Sequence, residues 1–365
     1  MEQIRILHVL NHTYRLSGNV HAAVDLACAQ AAQGHDVTVC SRGGSFDEVL
    51  RNNGVSLLTI DPGRRPVAVA SGAWKLLRWC RETSPDVVHA HMMTSAIMAW
   101  PVCRALRIPL VTTVHNSFQT AARLMGLGDR VIAVSESVES SMVRRGISKR
   151  RMRTVLNGTI GSARLPSPGP ETEVLSHPAI VFVGGLHPRK GVGTLIKAFG
   201  LVSSRHPDAR LYLIGEGPNR AEYEQLCNEL GLDGEQVCFV GSLSDPRGYL
   251  RAADIFILPS TSDPAPLVIS EAREAGCAII ATEVDGIPEL LDDGKAGILV
   301  PPNDPERLAA AMDRLLRDPA ELRQYRKRSS ANLGALTVSR VASDTTRVYR
   351  ECFRTPDRVA SSTLQ

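Results

Sequence analysis

A chain of 365 residues is long enough for two ordinary domains, each able to bury its own core. Apolar residues make up 43% and charged residues 22%, and the net charge of +4 is mild; the scarce aromatics (4%) do not interleave with the one basic run, which argues against a stacking platform for single-stranded nucleic acid. Eight cysteines are scattered with no CxxC pair and no Cys/His zinc spacing, so a reduced, cytoplasmic protein without a metal site is expected.

In chain order, the first apolar run, 5–10, reads as a strand rather than a signal peptide. No later stretch approaches the roughly 20 apolar residues of a membrane span. The run leads to Ser17-Gly18-Asn19, where a helix over about 19–33 begins; Gly34 ends it. Gly18 would let a phosphate or an acceptor approach the amides of that helix closely. Further strands are expected at 36–40, 55–60, 87–89, 110–114 and 130–134. Segment 74–81 places two tryptophans and three cations on a helical pattern, fitting either a helix packed on the sheet or one touching an anionic membrane. His89 and His91 close one strand, where packing and hydrogen bonding suit them better than metal ligation, since no carboxylate lies nearby in sequence. His115 closes another strand, a costly place for an imidazole without a partner, and is a candidate functional residue. From 144 to 153 come Arg144, Arg145, Lys149, Arg150, Arg151 and Arg153 with no acid among them. They read as a solvated helix end and loop, or as a patch facing anionic lipid or an acidic acceptor.

Between 155 and 178 apolar periodicity disappears and Asn157-Gly158, Pro166, Pro168, Gly169, Pro170 and Pro178 crowd together, the pattern of a linker. A second series of strands follows at 179–183, 210–214, 237–240, 255–258, 278–281 and 297–300. Strand alternating with helix in both halves predicts two doubly wound α/β domains, which bind ligands at the carboxyl ends of their strands. The expected division is 1–160, a linker at 161–178, a second domain at 179–337, a helix at 338–354 returning to the first domain, and a tail at 355–365.

Within the second half, the strand ending at Gly184 runs through a glycine-containing loop to Arg189 and Lys190, both placed to reach a diphosphate. Ser242 and Leu243 follow another strand and suit main-chain contacts to a nucleobase. The strand 255–258 leads into the loop carrying Asp263 and a helix starting at Pro266, Leu267 and Val268, with Glu271 one turn on. A carboxylate there takes sugar hydroxyls while free amides beside it face a phosphate.

Taken in order, these motifs resemble the retaining GT-B glycosyltransferases of family four, from the first strand to about residue 310. The resemblance implies a GT-B fold, with an N-terminal acceptor domain and a C-terminal donor domain. It also implies transfer of a sugar from a nucleoside diphosphate to a glycan, lipid-linked or small-molecule acceptor in cell-surface polysaccharide or glycoconjugate synthesis. Glu271 matches the second glutamate of the family's E-x7-E motif, which holds the ribose. Asp263 stands where the first glutamate touches the transferred sugar, and His115 matches the histidine near that sugar. Lys190 matches the diphosphate lysine, whereas Gly185 occupies the position of the family's arginine, and Arg189 is expected to replace it. His115, Asp263 and Lys190 are thus the catalytic candidates; Gly18, Gly184, Arg189, Lys190, Ser242, Leu243, Pro266, Leu267, Val268 and Glu271 are the donor-binding ones. No cofactor or metal is implied, and no Asp-x-Asp occurs in the chain. Peripheral contact with the cytoplasmic face of a membrane is a further expectation. The rival readings are a sugar-nucleotide epimerase, which needs no acceptor, and a non-catalytic binder, which neither transfers nor hydrolyses a donor.

Overall fold

The computed structural model describes residues 2–15, 17–62, 66–116, 120–165 and 169–353. They form two compact units, one reaching to Arg164 and resuming at Thr337, the other spanning Leu165–Leu336. In the first unit the strands are β1 (Arg5–Val9), β2 (Asp36–Ser41), β3 (Ser56–Thr59), β4 (Val87–Ala90), β5 (Leu110–Val114), β6 (Arg130–Ala133) and β7 (Met152–Thr154). They pair in parallel in the order β3-β2-β1-β4-β5-β6-β7. The second unit holds β8 (Ala179–Val183), β9 (Arg210–Ile214), β10 (Val237–Gly241), β11 (Ile255–Leu258), β12 (Ala278–Thr282) and β13 (Ile298–Val300). Their order is β10-β9-β8-β11-β12-β13, again parallel throughout.

Strands covered by helices on both faces must be apolar at every position rather than at alternate ones. Ile255–Leu258 meets that demand; Leu110–Val114 is also buried along its full length but carries Thr112 and Thr113, whose hydroxyls bond to the Met125 carbonyl and to His89. Chain order reverses between β1 and β4 and between β8 and β11, so each sheet opens a crevice at the carboxyl ends of those strands. The first helix, Gly18–Ala32, buries Val20, Ala23, Val24 and Ala27, and Gly34 follows it at φ +87°. Helix Val338–Phe353 packs against it and sends Val348, Tyr349 and Cys352 into the core of the first unit.

The basic run at 144–153 is in large part the solvated helix end and loop expected: Arg144, Arg145, Lys149 and Arg150 are exposed, at or beyond the end of helix Glu136–Arg144. The run also enters β7, and three of its cations have partners elsewhere in the chain. Lys149 pairs with Glu139, Arg151 donates to the Gly126 and Gly128 carbonyls, and Arg153 pairs with Glu351 at 2.7 Å. Glu351 also takes Arg130 at 3.2 Å.

Arg273 anchors the second unit. It is fully buried and donates to the carbonyls of Ser329 at 2.9 Å, Leu290 at 2.6 Å and Ala331 at 2.6 Å, and it pairs with Asp292 at 2.9 Å. Arg273→Met would strand these groups, and losses of this kind run to about 3–5 kcal/mol. A clear drop in the urea midpoint is therefore expected; a change within error would contradict the anchoring role.

Candidate active site

In the second unit, the carboxyl ends of neighbouring β8 and β11 carry two loops that meet through their main chains. After β8 come Gly184 and Gly185, a short turn at Pro188–Lys190, and Gly191 at φ +70°, opening helix Val192–Ser203. A Cβ at Gly191 would fall 1.9 Å from the Pro259 carbonyl oxygen, so only glycine permits this approach. The Arg189 carbonyl accepts from the Thr261 amide at 2.8 Å, and the Arg189 guanidinium donates to the Ser262 carbonyl at 2.8 Å. Lys190 Nζ then meets Asp263 Oδ2 at 2.6 Å, with the two side chains only 18% and 10% exposed. Ser260 Oγ adds a bond to the same carboxylate oxygen at 3.3 Å. Charge-assisted bonds of this length are the strong ones, and here they lock residues 73 positions apart.

Beyond Asp263, helix Leu267–Ala275 starts from Pro266 with no side-chain cap and no acid in its first turn. Its leading amides at Leu267 and Val268 form the positive end of the helix dipole, suited to an anion. Half-buried Glu271 lies one turn along, on the same helix face as Leu267. Ser242 and Leu243, both exposed, follow β10, two strands from β8 at the same edge of the sheet. The structure therefore joins Arg189, Lys190 and Asp263 directly, with Gly184 at the start of their loop. Arg189, expected on a diphosphate, is here a clamp on the loop of Asp263. Gly185 is exposed, its backbone has no positive φ, and an added Cβ would meet nothing closer than the Glu216 carbonyl oxygen at 3.7 Å.

In the first unit the same strand edge gathers imidazoles. His8 on β1 lies opposite His89 on β4 in the sheet register, with His91 just beyond β4 and His115 just beyond β5. His8 Nε2 is 2.8 Å from Gln30 Oε1 and His8 Nδ1 is 2.9 Å from His91 Nε2. His91 Nδ1 is 3.3 Å from His115 Nε2, while His89 bonds to Tyr349 and Thr113 hydroxyls at 2.7 Å each. Ligand-capable nitrogens of His8, His89 and His91 lie within 4.8 Å of one another, a grouping able to hold a metal ion. All six of their ring nitrogens, however, already have hydrogen-bond partners. His8 and Gln30 were not visible as site residues in the sequence; the only signal was a polar residue within the apolar run 5–10.

His115 lines a pocket of about 510 Å³ together with Asn11, Asn19, His91, Thr113 and Asn116. Gly18, the first residue of its helix, precedes Asn19 there. The Asn11 side-chain oxygen is buried with no hydrogen-bond partner among the described residues. A second pocket of about 880 Å³, lined by Ile4, Pro85, Asp86, Pro109 and Arg350, lies at the opposite, amino-terminal strand ends. Ligand chemistry in such sheets belongs to the other end.

Comparison with known proteins gives consistent matches. Residues 177–318 match the family described as glycosyl transferases group 1, and residues 17–159 match glycosyltransferase family 4. Phosphatidyl-myo-inositol mannosyltransferase of Mycolicibacterium smegmatis is 24% identical over 372 residues, covering 95% of this chain and 93% of that protein. D-inositol 3-phosphate glycosyltransferase of Corynebacterium glutamicum is 28% identical over 295 residues, 69% of each chain. Among solved structures, Anabaena Alr3699/HepE in complex with UDP and glucose shares the fold with a TM-score of 0.78 at 19% identity, covering 95% of this chain and all of that one. A glycosyltransferase from Rickettsia africae does so with a TM-score of 0.82 at 18% identity, covering 97% of this chain and all of that one.

The histidine cluster also sets an acid limit on stability. Burial pushes His8 and His115 down to about 4, and His89 and His91 well below the ordinary range, with the neighbouring imidazoles adding to the effect. Between about pH 6.5 and 4 the unfolded chain therefore binds more protons than the folded one. This contribution is complete above about pH 6.5 and is lost as pH falls toward 4; buried His8 alone accounts for about 3 kcal/mol. The urea midpoint should fall steadily over that window, and a flat profile would rule out neutral buried imidazoles.

Proposed function

Since the chain belongs to the glycosyltransferases of group 1 and family 4, we propose that it moves a sugar from a nucleoside-diphosphate donor to an acceptor hydroxyl with retention of configuration. The carrying observation is the Lys190–Asp263 pair, set beside the uncapped start of helix Leu267–Ala275. Lys190 and the amides of Leu267 and Val268 stabilise the charge that gathers on the departing diphosphate. Glu271 takes the ribose hydroxyls and Asp263 those of the transferred sugar, while Ser242 and Leu243 border the base. The acceptor oxygen attacks the anomeric carbon from the side the diphosphate leaves. Its proton passes to the departing phosphate oxygen as the new bond forms. Cations and backbone dipoles take the part a metal plays elsewhere, so no metal or cofactor enters this reading. The acceptor occupies the pocket at His115. Relatives named for phosphatidyl-myo-inositol and inositol 3-phosphate make polyol and lipid-linked polyol acceptors the first to test, within cell-surface glycoconjugate synthesis.

Nucleotide sugars should be screened by thermal stabilisation and the hits assayed for transfer and slow hydrolysis, with the product anomer read by NMR. Lys190→Ala is expected to lower turnover about 10²–10³-fold, the effect of removing one preorganised charge-stabilising donor. Stabilisation without transfer or hydrolysis would favour a non-catalytic binder, a new sugar nucleotide an epimerase, and an inverted product would end the retention claim.

A peripheral membrane contact is part of the same reading. Helices Pro66–Thr83 and Met93–Leu106 pack on each other and leave Trp74 64% and Trp100 42% exposed, with exposed Lys75, Arg78, Arg81 and Arg104 on the same two helices. No described helix is long and apolar enough to cross a membrane. Exposed indole rings and cations on two neighbouring helices suit an anionic interface. The protein should co-sediment with anionic vesicles at low salt, and Trp74→Ala with Trp100→Ala should weaken this. Absence of binding would refute the contact.

A further inference from the structure

The hydrogen bonds joining Gln30, His8, His91 and His115 have a direction. The structure directs Gln30 Oε1 to His8 Nε2 at 2.8 Å and Gln30 Nε2 to Thr346 Oγ1 at 3.4 Å. A carbonyl oxygen only accepts, so Nε2 of His8 carries the proton, and in a neutral ring Nδ1 is then bare. That bare nitrogen accepts from His91 Nε2 at 2.9 Å. The same logic leaves His91 Nδ1 bare, and it accepts from His115 Nε2 at 3.3 Å. Burial lowers all three imidazoles and so favours the neutral ring at each step of the chain. His89 sits beside this chain bonded only to hydroxyls, which donate or accept as required and impose no sense on it.

We propose that His8 and His91 are positioning residues that hold His115 in the tautomer protonated on Nε2, presenting Nδ1 as an acceptor to a substrate hydroxyl in the pocket lined by His115. Gln30 sets the sense of the whole chain. Among the described residues, Nδ1 of His115 has no hydrogen-bond partner, while Asn11, Asn19 and Asn116 share the pocket wall. The opposite tautomer would point an N–H at the same hydroxyl and change which of the hydroxyl's atoms it binds. A fixed acceptor in that pocket orients the hydroxyl without drawing a full charge into it.

The functional half of this inference rests on the transferase reading; the tautomer itself does not. The test uses the full-length protein with ¹⁵N-labelled histidine, and long-range proton–nitrogen spectra assign each ring. His8, His91 and His115 should all show a proton on Nε2 and a bare Nδ1, with the His115 signals identified by their loss in His115→Asn. Finding His115 protonated on Nδ1 would overturn the proposal whether or not any donor is turned over. Gln30→Met removes the acceptor that sets the direction and touches no substrate, so His115 should become a mixture of tautomers. The corresponding fall in kcat is about 10- to 100-fold, the usual scale for groups that orient a functional ligand, with little change in KM for the donor. Thr346→Ser keeps the hydroxyl that faces Gln30 Nε2 and serves as a folding control, with the tautomer retained. A mixed tautomer at unchanged kcat would overturn the positioning role.

Discussion

Parallel pairing is the constraint from which the rest of this protein follows. With every strand of a sheet running the same way, all strand-to-helix turns leave from one edge, and polar side chains placed on those turns converge without contact in sequence. In the second unit this brings residues 73 positions apart into an ion pair. In the first it stacks imidazoles from three separate strand ends, with a glutamine from the first helix terminating the row. Burial of these strands makes an unpaired polar atom costly, and most of the convergent groups are bonded to one another, with the Asn11 side-chain oxygen an exception among the described residues.

Lys190 and Asp263 illustrate what such convergence does to charge. Both are largely withdrawn from water, and either alone would be costly. Together they neutralise each other, with Arg189 fastening the main chain around them. An arriving diphosphate would meet an ammonium already dehydrated and oriented, which is the condition under which electrostatic stabilisation needs least rearrangement. Asp263 has one methylene less than the glutamate that the resemblance led us to expect, and its reach is spent on the lysine.

Much of the architecture could be read from the chain because buried parallel strands are apolar runs, and those runs agree with the observed strands to within two residues at either end. What escaped the sequence was whatever depended on a distant partner. Strand β7 is three residues long and hidden in a basic segment, and that segment looked like bare surface because its neutralising Glu139 and Glu351 lie elsewhere in the chain. His8 is one polar residue in an apolar strand, meaningful only once the register sets it against His89. Lys190, Asp263 and Glu271 stood out by motif, yet the bond between the first two and the clamp made by Arg189 belong to tertiary structure alone.

Gly185 has a different kind of consequence. Glycines at 191, 215 and 217 are imposed by backbone packing, since a Cβ at each would collide with a carbonyl oxygen at 1.9, 1.9 and 2.2 Å respectively. At 185 nothing of the sort applies: the nearest atom is 3.7 Å away and the residue faces outward. A longer side chain at 185 would therefore fit without moving the main chain, so this is the one glycine of the loop at which a cation could be added to test whether the site gains affinity for an anion.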